Sequence, residues 1–211
     1  MRRGPSSASD NSARPLRIAE LAEAALLVGD ALVEMPLFDW VLGDDARDPD
    51  SRALLARVIL RPMLLSGRVL GVHDGDRLAG VLAWHAPGDR EASAGTQVAE
   101  DAQQLVQRPD MARRLIDLWS RDPLPAPEAG AVGVPIAAVR PGARSAGVLH
   151  RLMEPVEEYC AAHRRRFFVW TGREELRDGF ARGWALSLFA TVEVADRATL
   201  YGLVSAPVVD S

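Results

Sequence analysis

One stretch constrains the fold more than any other. The apolar run "AVGVPIAAV", Ala131–Val139, stops at Pro141 and passes through the small residues of "VRPGARSAG" straight into a helical pattern, "GVLHRLMEPVEEYCAAH". An apolar run of this length bounded by proline predicts a buried strand, and the spacing after Gly147 predicts a helix. A strand that turns directly into a helix leaves several backbone N–H groups unpaired at the helix N-terminus, where the helix dipole also favours negative charge. Gly147 would allow close backbone approach to a pyrophosphate, and Arg144 can add a charge-assisted contact. Taken alone, "RSAG" before a helix reads more readily as an ordinary turn than as a phosphate cradle.

The remaining elements follow from periodicity. Residues 1–13 are Ser-rich and aperiodic, which predicts a disordered tail, with a single domain over 14–211. "LRIAELAEAALLVGDALVEM" opens on a short strand and continues as a helix through Leu21, Ala25, Val28 and Leu32 despite Gly29. "PLFDWVLGDD" reads as an aromatic connector. A second helix, N-capped by Asp50 or Ser51, runs through Pro62 to Gly67. "RVLGVHDGDRLAGVLAWHAP" predicts a hairpin turning at Asp74 and Gly75. Two helices between Gln97 and Arg121, the second capped by Asp110, form an insertion before the strand of the opening stretch. After the long helix come a short strand "RFFVW", a helical segment "REELRDGFARGW" and a final hairpin turning at Asp196 and Arg197. This order predicts an α/β (α+β) fold, a mixed sheet with helices on both sides.

Composition narrows the chemistry. The single cysteine, Cys160, has no partner for an intrachain disulfide or a thiolate-rich metal site, so no metal is expected. All 25 basic residues are Arg, which removes lysine Schiff-base chemistry. Net charge is −4, yet residues 140–182 hold nine Arg against six acids, +3, which leaves −7 elsewhere. A local basic zone in an acidic chain suits a compact anion better than nucleic acid. The opening residues lack the apolar core of a signal peptide and no run reaches the ~18 apolar residues of a membrane span. The expectation is a soluble, cytoplasmic protein without membrane or nucleic-acid partners.

Strand, phosphate-type loop and long helix in the middle of this order resemble the GCN5-related N-acetyltransferase (GNAT) family, over most of the chain from about Pro15. That family's loop reads Arg or Gln, two residues, Gly, one residue, then Gly or Ala, after a strand ending in Val, any residue, Pro. Here "VRP" (Val139–Pro141), Arg144 and Gly147 match, and Leu152 and Met153 match the apolar pair on the helix. "FDWVLGDD" and "AWHAPG" are similar to aromatic and Trp/Pro-containing stretches of members, and the insertion resembles the puromycin-acetyltransferase branch. Two positions depart: Leu149 replaces the last small residue of the loop, making the CoA loop degenerate, and Phe180 stands where the family usually has a Tyr.

The resemblance implies a mostly antiparallel central sheet and an acyl-CoA-dependent N-acyltransferase that passes an acetyl group to a small-molecule amine by direct attack. It implies acetyl-CoA as co-substrate, held by Ala138, Val139, Arg144, Ser145, Ala146, Gly147, Val148, Leu149 and His150, with the Val139 N–H stabilising the oxyanion. A base is still required, and His85 and Glu174 lead the candidates, with Asp39 and His73 behind them. Phe38, Trp40, Trp84 and Phe180 are candidates for the substrate pocket, although aromatic residues on amphipathic elements are usually core. Tyr159 and Tyr201 are the only phenols that could stand in for the missing acid. The acyltransferase would work as a monomer or homodimer. The alternative is a GNAT-fold protein that has lost acetyl transfer and serves as a binding or regulatory module, or catalyses another step in a specialised-metabolite pathway, as Leu149 and Phe180 together suggest.

Overall fold

A computed structural model describes residues 12–88, 96–121, 124–194 and 198–207. Residues 1–11 of the expected tail and the Asp196–Arg197 turn lie outside them. In chain order the elements are β1 (Arg14–Pro15), α1 (Leu21–Leu32), α2 (Pro36–Leu42), α3 (Pro49–Leu65), β2 (Val69–Asp74), β3 (Arg77–His85), α4 (Thr96–Val106) and α5 (Pro109–Arg121). There follow β4 (Val132–Val139), α6 (Val148–His163), β5 (Phe167–Thr171), α7 (Glu174–Trp184), β6 (Ser187–Val194) and β7 (Ala198–Val204). The strands form one sheet in the order β1-β2-β3-β4-β5-β7-β6. Only the β4–β5 pair is parallel; the other neighbours are antiparallel.

Two cores sandwich this sheet. On one face α1, α2, α3 and α5 bury Val28, Leu42, Leu55, Leu60, Met111 and Leu115 against Val81, Ala83 and Ile136. On the other, α6 buries Val148, Leu152 and Val156 against Leu82, Val132 and Leu203. Gly29, which looked out of place in a helix, explains how the first layer closes. A Cβ there would lie 2.8 Å from the backbone carbon of Arg52. The glycine therefore lets α1 and α3 touch backbone to backbone.

Helix boundaries differ from the sequence reading by a residue or two, for local reasons. The N-cap of α3 is Asp48, whose carboxylate accepts from the N–H groups of Asp50 (3.2 Å) and Ser51 (3.1 Å), with Pro49 preset at the first helical position. Asp110 lies inside the first turn of α5 rather than capping it. "PLFDWVL" is a helix, because Pro36 starts it and Leu37, Val41 and Leu42 face the core. The first hairpin turns one residue later than expected, with Asp74 opposite Arg77 and Gly75 in the left-handed region at φ 60°. The insertion is tied down by a buried acid: Asp101 of α4 pairs with Arg57 and Arg61 of α3.

At the sheet edge, Arg14 donates to Glu20 at 2.7 Å, and His73 Nε2 lies 3.2 Å from the same carboxylate. His73, a base candidate from the sequence, is thus held beside the Arg14–Glu20 pair at the β1 edge. Arg14, with Arg17 behind it, lowers the Glu20 carboxyl from 4.5 to about 2.

Two outcomes follow. Gly29→Ala should lower stability by a net ~1–2 kcal/mol, because overpacking against a backbone outweighs the better helix propensity of Ala; thermal melts will show it. Measured against Glu20→Gln, wild-type Glu20 should contribute its full stability above about pH 4.5 and lose it as pH falls towards about 2. Urea midpoints of the two proteins at neutral and acid pH check the convergence.

Candidate functional site

β4 pairs with β3 from Gly133 to Val139, but with β5 only from Val132 to Val134. Past Val134 the two parallel strands have no ladder between them, and a wedge opens. An irregularity lies at that point: β3 advances from Ala83 to His85 while β4 covers Gly133 to Ile136, one residue more. Pro135 sits in the extra step, where a residue without an N–H is tolerated. The extra residue reverses the facing of the strand. Val132 and Val134 pack on the α6 side, whereas Ile136 and Ala138 pack on the α1 side.

This reversal also turns the backbone. The Arg140 N–H donates to the Ala79 carbonyl at 2.9 Å. Strand alternation then directs the N–H and C=O of Val139 away from β3 and into the wedge. Arg144 Nε donates to that Val139 carbonyl at 3.3 Å. Arg140 itself donates to the Leu78 carbonyl at 2.7 Å and belongs to β3 rather than to the loop.

The wedge holds a cavity of about 380 Å³, bordered by Glu34, Val139, Arg144, Leu149, Arg173 and Phe180. Arg144 and Arg173 both reach the Glu34 carboxylate, which closes off the end of α1. All three side chains are partly exposed, so these pairs exchange readily with solvent or with another anion. Gly147 is the N-cap of α6, left-handed at φ 68°, and no side chain caps the helix. The N–H groups of Val148, Leu149 and His150 are therefore free of helical partners. Val148 anchors the turn: its side chain is buried against Gly80, where a Cβ would come within 2.6 Å of Val148 Cγ1.

A second cavity of about 250 Å³ opens on the α1 side of β4, bordered by Phe38, His85, Leu118, Trp119, Phe168 and Trp170. The two cavities share Met35, Pro135 and Ile136, so the irregular step in β4 is their common floor. His85 lies across Gly133, and a Cβ at 133 would overlap the imidazole ring. A glycine in the central strand is what seats this histidine.

The expected residues separate clearly. Val139, Arg144, Leu149, Ala138 and Phe180 border the wedge cavity; Phe38 and His85 border the second. Ser145 and Ala146 are exposed loop residues, Val148 is core, and the His150 ring packs 4.5 Å from that of Trp184 on α7. Four of the expected residues border neither cavity. Trp84 is 6% exposed and faces α6, edge-on to Tyr159 at 4.9 Å and beneath the Arg68 guanidinium. As neighbours in β3, Trp84 and His85 must point to opposite faces, so only one of them can reach the cavity. Trp40 packs against the first core and borders neither cavity. Glu174 lies outside both; its carboxylate accepts from the Tyr201 hydroxyl at 3.0 Å, which raises the Tyr201 pKa. Asp39 borders a separate pocket with Asp44 and Arg47. Neither phenol replaces Phe180, because Tyr159 stacks on His163 outside the wedge and Tyr201 is committed to Glu174.

Glu34, Arg173, Gly133 and Trp170 were missed. Glu34 and Arg173 carry no local motif and meet only through the fold; Gly133 and Pro135 in an apolar run were the legible signal. The buried Cys160 thiol is pushed up to about 11 by burial, which leaves it unreactive. Among the described residues no group of ligating side chains suits a metal, and no helix is long and apolar enough to cross a membrane.

No protein-family model and no curated protein matches the chain. Solved structures do match its fold. An N-acetyltransferase from Staphylococcus aureus Mu50 superposes with a TM-score of 0.63 at 13% identity, over 91% of this chain and 98% of its own. Arylalkylamine N-acetyltransferase 2 from Aedes aegypti gives 0.62 at 13% identity, over 93% and 98%. A polyamine N-acetyltransferase from Drosophila melanogaster, which forms N-acetylagmatine, gives 0.55 at 14% identity, over 91% and 97%. The architecture is the GNAT fold.

Gly133→Ala should displace the His85 ring and cost about 1–3 kcal/mol of stability through overpacking. Adding His85→Ala to that variant should recover most of the loss; a double-mutant cycle of thermal melts measures the coupling.

Proposed function

We propose that this chain is an acyl-CoA-dependent N-acyltransferase that acetylates the amine of a small molecule. The observation that carries the reading is the wedge beside β4: one outward-facing strand N–H, at Val139, shares a cavity wall with the uncapped N-terminus of α6 and with two guanidiniums. The solved neighbours support it in the same direction, since their names include N-acetyltransferases of polyamines and arylalkylamines.

The residues present fit an acyl-CoA. The first-turn N–H groups of α6, the left-handed Gly147 and Arg144 would hold its phosphates once Arg144 exchanges Glu34 for them. Leu149 lines the cavity and packs on the second core, so its bulk is taken up in the wall. The bound acetyl-CoA supplies an activated thioester. The Val139 N–H would donate to the thioester oxygen as negative charge collects there. His85, the titratable side chain of the adjoining cavity, would accept the proton of the substrate ammonium, directly or through water, leaving a neutral amine to attack. Phe180 offers no proton to the departing thiolate. A thiol with pKa ~8.5 tolerates this, because general acid help is worth about 10²–10⁴-fold rather than the whole reaction.

Phe180 also favours the second reading, a fold that binds ligand but no longer transfers. Thermal stability separates the two from a protein with no cofactor site at all. Acetyl-CoA at 100 times its dissociation constant should add about 2.7 kcal/mol of stability, and Arg144→Glu should remove that gain. Binding with release of free CoA on adding amines supports transfer; binding without release supports the module. No binding would sink both.

A further inference from the structure

We infer that the amine acceptor is a compact, singly charged molecule with an apolar or aromatic body, and that diamines and polyamines are rejected. This rests on the acyl-transfer reading and concerns the second cavity.

Carbon makes up most of that cavity's wall: Leu37, Phe38, Ile59, Leu118, Trp119 and Trp170 come from four elements, α2, α3, α5 and β5. No carboxylate borders it among the described residues, and His85 is its titratable side chain. Trp170 brings a donor, an indole N–H buried with no hydrogen-bond partner among the described residues, and a donor does nothing for an ammonium. A second ammonium carried into this space would lose its water and gain no counter-charge. The acid among the described residues that lines the wedge cavity, Glu34, is already shared by Arg144 and Arg173. Among the described residues charge is thus segregated: the wedge holds the ionic groups and the acceptor cavity holds almost none. At about 250 Å³ the cavity sits near the lower end of ligand pockets, which run from roughly 300 Å³ upwards, so the body it takes is small.

Trp119 gives an independent reason. Its side chain borders the cavity yet is 56% exposed, and Ile116, one turn earlier on α5, is 62% exposed. Folding leaves this apolar rim uncovered, and an apolar substrate body would cover it.

The test uses wild-type protein, 2-phenylethylamine and spermidine, with two readouts. Free CoA release in the presence of acetyl-CoA should give a kcat/KM at least 100-fold higher for 2-phenylethylamine. Calorimetric titration of the same amines without acetyl-CoA should show binding of 2-phenylethylamine alone. Trp119→Glu, a change at an exposed side chain that the fold should tolerate, should weaken 2-phenylethylamine at least 10-fold and improve spermidine. Equal or better use of spermidine by the wild type would overturn the inference and leave acyl transfer standing. If neither amine releases CoA, the transfer reading fails while the titration still decides the pocket: selective binding of 2-phenylethylamine upholds it, and binding of spermidine, or of neither, overturns it.

Discussion

The parting of β4 from β5 is the constraint on which the rest of the site depends. A parallel pair that hydrogen-bonds for only three residues leaves backbone polar groups facing open space, an arrangement that costs free energy wherever water or a ligand does not satisfy them. The extra residue at Pro135 makes the parting possible and also decides what faces it. By reversing the strand, it sends Ile136 and Ala138 into the first core and leaves the Val139 N–H and C=O directed into the wedge. One irregular step therefore builds the donor, the wall behind it and the floor shared by two cavities.

Around that step the chain places contrasting chemistry on either side. The wedge collects Glu34, Arg144, Arg173 and the N-terminus of α6, all partly open to water and able to exchange partners. The adjoining cavity collects leucines, aromatic rings and a single imidazole seated over Gly133. The helical insertion supplies part of this apolar wall. Its α5 buries Met111, Leu115 and Leu118 in the first core and presents Trp119 at the cavity mouth. The segment between the hairpin and the central strand is thus also a segment that shapes the apolar cavity.

Much of this was legible locally. The strand, turn and helix from Val132 to His163, the mixed sheet and the helices on both faces follow from periodicity and from Gly and Pro placement. Loop positions Arg144, Gly147 and Leu149 could be placed at the turn into α6 because that placement depends on neighbours within a few residues. The site's other half could not. Glu34 and Arg173 meet across more than a hundred residues of chain, and nothing near either one announces the other. Glu174 looked suitable by position in the chain, but the phenol of Tyr201 two strands away claims it. Trp84 and His85 were both assigned to the cleft, although alternation along β3 allows only one of them there.

The sequence by itself determined most of the elements, their order and the glycine turn into α6, because hydrophobic period and turn glycines act over one or two helical turns. Only the tertiary structure decided which side chains share a cavity. That outcome depends on strand parity, which a single extra residue in β4 inverts, and on close backbone approaches at Gly29 and Gly133 that become visible only when another element lies against them.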